Sequence, residues 1–248
     1  IPLLPKNSKI LLLDIEGCTT SIAFVKEELF PYVLKHLDTF LKTLSQSDLE
    51  SIFGKLKQDF ANLPADHVCK STKIPESASC EGVATMVRAL MSKDVKATGL
   101  KALQGRMWKA GYDNGEIKGH IYADFVPTLQ WCKSNGVDVY IYSSGSIQAQ
   151  KLLFGHSQDG DLLKYIKGHF DTTSGSKKEA NSYKTIAKSM GVEPSQICFV
   201  SDAEGELVAA REARVGNVVM SVRPGNVPLT SVGKEFPIVH SLMQLCGS

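Results

Sequence analysis

The chain has 248 residues, of which 43% are apolar and 22% charged, with a formal net charge of +2 at neutral pH. These values are ordinary for a globular protein large enough to bury a sizeable core, and they lack the basic excess of a general nucleic-acid binder. No apolar run approaches the roughly 20 residues of a membrane-spanning helix, so neither membrane nor nucleic acid is an expected partner.

The first element expected is a strand, Ile10–Leu13, four apolar residues that end at two carboxylates, Asp14 and Glu16, and then Gly17. Residues 24 to 107 show mostly helical periodicity, as in FPYVLKHLDTFLKTL, LESIFGKLKQDFANL and EGVATMVRALMSKDV, broken by a turn-rich stretch from Pro64 to Cys80. Further strands are expected at Val137–Tyr142, Ile197–Val200 and Val218–Val222, with helical patterns over Gln148–Phe154 and Ser182–Met190 between them. Strands alternating with helices predict an α/β fold, a doubly wound parallel sheet whose site lies at the carboxyl ends of the strands. The interval after the first strand is far longer than a crossover needs. It is read as a helical cap subdomain over residues 21–110, inserted at the mouth of a core made of residues 1–20 and 111–248. Ordinary helices packed on the sheet are the alternative.

The six cysteines, Cys18, Cys69, Cys80, Cys132, Cys198 and Cys246, show no CxxC pairing or regular spacing. Reduced thiols in a cytosolic protein are expected, not a disulfide scaffold or a thiolate metal cluster. No basic n-region with an apolar h-region opens the chain, so no secretory signal is expected. It begins at Ile1 and not Met, as a trimmed chain or part of a longer polypeptide would.

Carboxylates at the mouth of an apolar strand are costly unless something neutralises them. The other strand ends supply candidates. VDVYIY runs into Ser143-Ser144-Gly145-Ser146, and ICFV runs into Ser201-Asp202-Ala203-Glu204-Gly205-Glu206, with Lys177 and Lys178 in the loop between. Few hard oxygen ligands, supplemented by water, suit Mg²⁺ bound with a phosphate-bearing substrate, and Asp14 and Asp202 could share it. A metal-held carboxylate can attack phosphorus and form an aspartyl-phosphate. Ser143 or Ser144, with nearby backbone N–H groups, can hold phosphate oxygens, and a lysine offsets the negative charge of the transferring group. Taken singly, each of these residues reads as a turn, a cap or a solvated side chain; their order along the chain is what one reaction requires.

That order, DIEG, SSGS, a lysine and FVSDAEGE, resembles the four motifs of the haloacid dehalogenase superfamily. The D-x-E spelling, IAFVKEELFPY, LQGRMWKAGY, IYSSGSIQAQKLLFGHS, GHFDTTSGSKKE and RPGN resemble the enolase-phosphatase E1 family over nearly the whole chain, least across residues 40 to 100. The resemblance implies a Mg²⁺-dependent enzyme of methionine salvage. Its reaction converts 2,3-diketo-5-methylthiopentyl-1-phosphate to the acireductone 1,2-dihydroxy-3-keto-5-methylthiopentene and phosphate. Asp14 then matches the nucleophile and a metal ligand, Glu16 the acid/base grouped with the metal, and Asp202 a metal ligand. Ser143 and Ser144 match the phosphate contacts, and Lys177, eight residues after His169, matches the family lysine. A small phosphorylated diketone is the implied partner of a monomer, and the cytoplasm, with the nucleus, the implied location.

Glu16 is one methylene longer than the usual Asp, a reach expected to let one carboxylate serve both enolisation and proton donation. Cys18 departs from the family's threonine and is not read as a second nucleophile. Phe24 and Trp108 are candidates for the pocket of the methylthio arm, with core packing the alternative. Lys178, Glu204 and Glu206 are expected behind the reacting groups. Competing readings are a phosphatase of the same superfamily without enolase activity, a receiver-like phospho-signalling module and a catalytically dead binding protein.

Overall fold

The computed structural model describes Leu4 and residues 8–246. They form two compact units, one within Ile1–Val25 and Lys118–Ser248, the other Lys26–Ile117. The boundaries lie a few residues beyond the expected 20/21 and 110/111. The chain passes through a π-helical turn over Phe24–Leu29 at one side, and the last helix of the second unit runs on to Asp113 at the other.

The larger unit holds a sheet of six parallel strands: β1 (Ile10–Leu13), β2 (Asp138–Tyr142), β3 (Ile166–Phe170), β4 (Ile197–Ser201), β5 (Asn217–Ser221) and β6 (Ile238–Val239). Their order is β3-β2-β1-β4-β5-β6, so the winding reverses at β1, with β2 on one side and β4 on the other. Such a reversal opens a crevice at the carboxyl ends of the strands. The register sets Leu13 opposite both Ile141 and Val200. Asp14, Tyr142 and Ser201 therefore leave the sheet at one level, and Ser143 and Asp202 follow one residue later.

β1 is entirely buried, as its run of four apolar residues demands of a central parallel strand. β3 and β6 carry no such signal. β3 reads IKGHF, with four of its five residues at least partly exposed, and β6 has two residues at the sheet edge. Edge strands bury too little side chain to leave an apolar run.

In the second unit, α1 (Phe30–Lys42) carries Pro31 in its first turn. Ser45 caps α2 (Gln46–Ala61), accepting from Asp48 N–H, and Ser79 caps α3 (Cys80–Met91), accepting from Gly82 N–H. α4 (Thr98–Asp113) starts on the buried Asp59 carboxylate, which accepts from Gly99 and Leu100 N–H at 3.0 and 2.8 Å. Residues spaced three and four apart, such as Val33, Leu37 and Leu41 with Leu56, Phe60, Val83, Val87 and Leu103, bury one continuous core. Trp108 packs on its edge, donating from Nε1 to the Leu29 carbonyl at 2.9 Å.

Back in the larger unit, α5 (Phe125–Ser134) packs against β2, and α6 (Ile147–Gly155) follows the loop after β2. α7 (Ala180–Met190) and α8 (Glu204–Glu212) bury Tyr183, Ile186, Leu207 and Ala210 against Ile10, Leu12, Phe199 and Met220. Phe24 is 3% exposed, with its ring 6.1 Å from that of His120, a packed position. Among the described residues no helix is long and apolar enough to cross a membrane.

Candidate active site

Asp14 follows β1 and is 6% exposed, yet its carboxylate is well partnered. Oδ1 accepts from the Ile15 N–H and from Lys177 Nζ, each at 2.7 Å, and Oδ2 accepts from Ser201 Oγ at 3.1 Å. Lys177 also reaches Glu206 Oε2 at 2.6 Å and lies over the Tyr142 ring, 5.7 Å from its centroid. Burial alone lowers the pKa of an ammonium, but the carboxylates of Asp14 and Glu206 overcome it and hold Lys177 above the ordinary lysine value. Of the two adjacent lysines only Lys177 turns inward; Lys178 is exposed.

Ser201 ties the cluster together. Its hydroxyl has one proton and lies 2.7 Å from Glu206 Oε2 and 3.1 Å from Asp14 Oδ2, while it accepts from the Ala203 N–H at 3.2 Å. Burial, then the Asp14 charge, pushes Glu206 up to about 7, against the pull of Lys177. Glu206 is therefore a direct partner of the inward lysine, nearer Asp14 than its position early in α8 suggested. Glu204 points elsewhere, accepting from the Thr230 N–H and hydroxyl, each at 2.7 Å.

Asp202 sits against Gly17. Gly17 has φ +68°, and a Cβ there would collide with Asp202 Oδ2 and lie 2.7 Å from Asn226 Oδ1. The glycine of D-x-E-G is thus required twice, by its backbone and by the carboxylate beside it. Burial and then the charge of Asp14, with a smaller addition from Glu16, raise Asp202 to about 7. The Asp14 and Asp202 carboxylates thus repel one another at adjacent strand ends, a cost that a cation between them would offset. Among the described residues no group of three or more His, Cys, Asp or Glu side chains is placed to hold a metal ion.

Ser143 leaves β2 with its N–H on the Phe170 carbonyl at 3.2 Å, and its hydroxyl accepts from the Gly145 N–H at 3.2 Å. It is buried, whereas Ser144 is exposed. The loop is pinned from α6 by Gln150, whose Nε2 donates to the Gly145 and Phe170 carbonyls at 2.9 and 2.8 Å. That leaves Gln150 Oε1 to accept from His169 Nδ1 at 3.1 Å. Cys18 is fully buried, its thiol donating to the Val200 carbonyl at 3.7 Å. Burial and the Asp14 charge raise its pKa well above an ordinary thiol, the opposite of a nucleophile's environment.

The chain resembles known proteins along most of its length. The family of haloacid dehalogenase-like hydrolases matches residues 8–214. The chain is 41% identical to enolase-phosphatase E1 of Danio rerio over 251 residues, covering 98% of this chain and 96% of that protein. It is 44% identical to enolase-phosphatase E1 of Drosophila willistoni over 237 residues, 94% of each. The crystal structure of the UTR4 protein of Saccharomyces cerevisiae matches with a TM-score of 0.70 at 34% identity, covering 94% of this chain and 98% of that one. A dehalogenase structure with a TM-score of 0.55 at 20% identity, covering 98% of this chain and 97% of that one, shares the fold. A reversed parallel sheet with a buried carboxylate and lysine at its switch point, matched over almost its whole length, makes this chain a phosphatase of the haloacid dehalogenase-like hydrolases and a member of the enolase-phosphatase E1 family.

Proposed function

We propose that this phosphatase is a Mg²⁺-dependent enolase-phosphatase of methionine salvage. In this reading it takes 2,3-diketo-5-methylthiopentyl-1-phosphate to 1,2-dihydroxy-3-keto-5-methylthiopentene and phosphate. The observation that carries it is the buried Asp14 carboxylate, held in place by the Ile15 N–H and the Lys177 ammonium at 2.7 Å. Asp14 attacks phosphorus; an oxygen–phosphorus bond forms to its carboxylate as the bond to the substrate oxygen breaks. Glu16 gives the leaving oxygen a proton, having earlier moved one during enolisation. Water then cleaves the aspartyl-phosphate and restores Asp14. Ser143 and Ser144 hold the phosphate oxygens, and Lys177 offsets their gathering negative charge.

Asp14, Glu16 and Asp202 would hold Mg²⁺, which when bound neutralises their mutual repulsion and draws the phosphate towards Asp14. The helical unit Lys26–Ile117 is read as the cap subdomain, with substrate selection as its task. A monomer in the cytoplasm and nucleus belongs to the same reading.

The test is the diketone phosphate itself, with enol absorbance and phosphate release followed together. The wild type should show both, and Asp14→Asn should release no phosphate. Phosphate released from other monoesters, with the diketone untouched, would leave a phosphatase without enolase activity. A long-lived phosphoaspartate without turnover would point to phospho-signalling.

A further inference from the structure

Three side chains at and after the end of β5 converge on two consecutive carbonyls of the turn after β1. Ser221 Oγ and Asn226 Nδ2 both donate to the Gly17 carbonyl, at 3.1 and 3.0 Å, and Arg223 Nε donates to the Cys18 carbonyl at 3.2 Å. The inside of the turn is closed separately. The Ile15 carbonyl accepts from the N–H groups of Cys18, Thr19 and Thr20, and the Gly17 N–H donates to the Thr20 carbonyl at 2.8 Å. The outward carbonyls of the turn are thus held by 221–226, while its inward groups hold one another.

Two of the three donors, Arg223 and Asn226, are themselves fixed. Arg223 is 8% exposed; Nη1 donates to the His240 carbonyl at 2.8 Å and Nη2 to Asp124 Oδ2 at 2.7 Å, over the Tyr122 ring. A rigid guanidinium fork serving three acceptors transmits position in a way that a single ammonium cannot. Asn226 Nδ2 also donates to the Ser221 carbonyl at 3.2 Å, which aims Oδ1 at Gly17, on the side where Asp202 lies. Packing alone would not require three hydrogen bonds to the Gly17 and Cys18 carbonyls, one and two residues beyond Glu16.

We infer that Ser221, Arg223 and Asn226 are positioning residues: they clamp the Gly17–Cys18 peptides and so hold Asp14, Glu16 and Asp202 in their reacting arrangement. The chemical consequence rests on the proposed function, but the clamp does not. Outer partners of this kind typically cost about 10–100-fold when removed.

The test combines hydrogen exchange with kinetics on Ser221→Ala, Asn226→Ala and Arg223→Lys, with Lys167→Ala on the surface as control. The clamp predicts at least about tenfold faster exchange at amides 17–20 in the clamp variants, with β4 and β5 unchanged. It predicts that kcat falls about 10–100-fold while KM stays within a few-fold. If Arg223→Lys does not fold, the two alanine variants decide. Unchanged exchange in the turn, or an equal loosening across the whole sheet, overturns the clamp. A wild type inactive on the diketone phosphate defeats the proposed function instead, and the exchange data still judge the clamp.

Discussion

The Lys177 ammonium stands 2.7 Å from the Asp14 carboxylate, with both side chains below a tenth exposed. It is shared with Glu206 at 2.6 Å, so one cation serves two buried carboxylates. Removing it leaves two uncompensated charges, and breaking a buried pair costs about 3–5 kcal/mol. Lys177→Met should lower the unfolding midpoint markedly as well as abolish phosphate release. Adding Glu206→Gln should recover part of the lost stability but none of the activity. Thermal unfolding of the single and double variants checks this; no recovery would mean that the Glu206 charge is not the cause.

Gly17→Ala forces a side chain into φ +68° and into Asp202 and Asn226. The left-handed conformation alone costs about 1–2 kcal/mol, and a protein of this size loses about 2–4 °C per kcal/mol. A midpoint lower by several degrees is expected, with phosphate release lost more completely than stability because Asp202 must move. A variant with normal turnover would show that the close approach of Asp202 to Gly17 is dispensable.

Cys18 sits close to Asp14 as a packed, protonated thiol. Cys18→Ser should keep turnover within a few-fold, since the hydroxyl can still donate to the Val200 carbonyl. Alkylation followed by mass spectrometry should label Cys80 first, because the other five cysteines are buried. Rapid labelling of Cys18 in the folded protein would contradict this environment.

His169 gives the clearest dependence of stability on pH. Burial, then the nearby Lys151 charge, lowers its pKa from 6.5 to about 4, so the folded state keeps the ring neutral. Between those values the unfolded chain binds a proton that the folded one refuses. The stability His169 contributes is therefore full above about 6.5 and declines as the pH falls towards 4. His169→Asn keeps a donor for Gln150 Oε1 but cannot titrate, so its midpoint should fall less over that window. Identical pH profiles for the two proteins would remove His169 as the source.

Much of this site is legible along the chain. A central parallel strand must be apolar throughout, so Ile10–Leu13 announces itself, and a carboxylate directly behind it asks for a cation. The apolar run before Asp202 does the same. β3 is invisible for the converse reason: IKGHF buries too little to be apolar, although it leads directly towards the loop that delivers Lys177. Glu206 reads as an ordinary acidic residue in a first helical turn, and nothing local shows that Lys177 will meet it.

By itself, then, the sequence determined the four apolar strand runs, the helical periodicity and the residue types at the ends of those strands, because burial periodicity acts within a few residues along the chain. Tertiary structure alone decided which of those ends meet. Ser201 and Asp14 are 187 residues apart, and Arg223 and Cys18 are 205 apart. They come together because the winding reverses at β1 and brings the ends of β2, β4 and β5 towards one crevice. Charge pairing across that distance depends on register and strand order, which no local pattern carries.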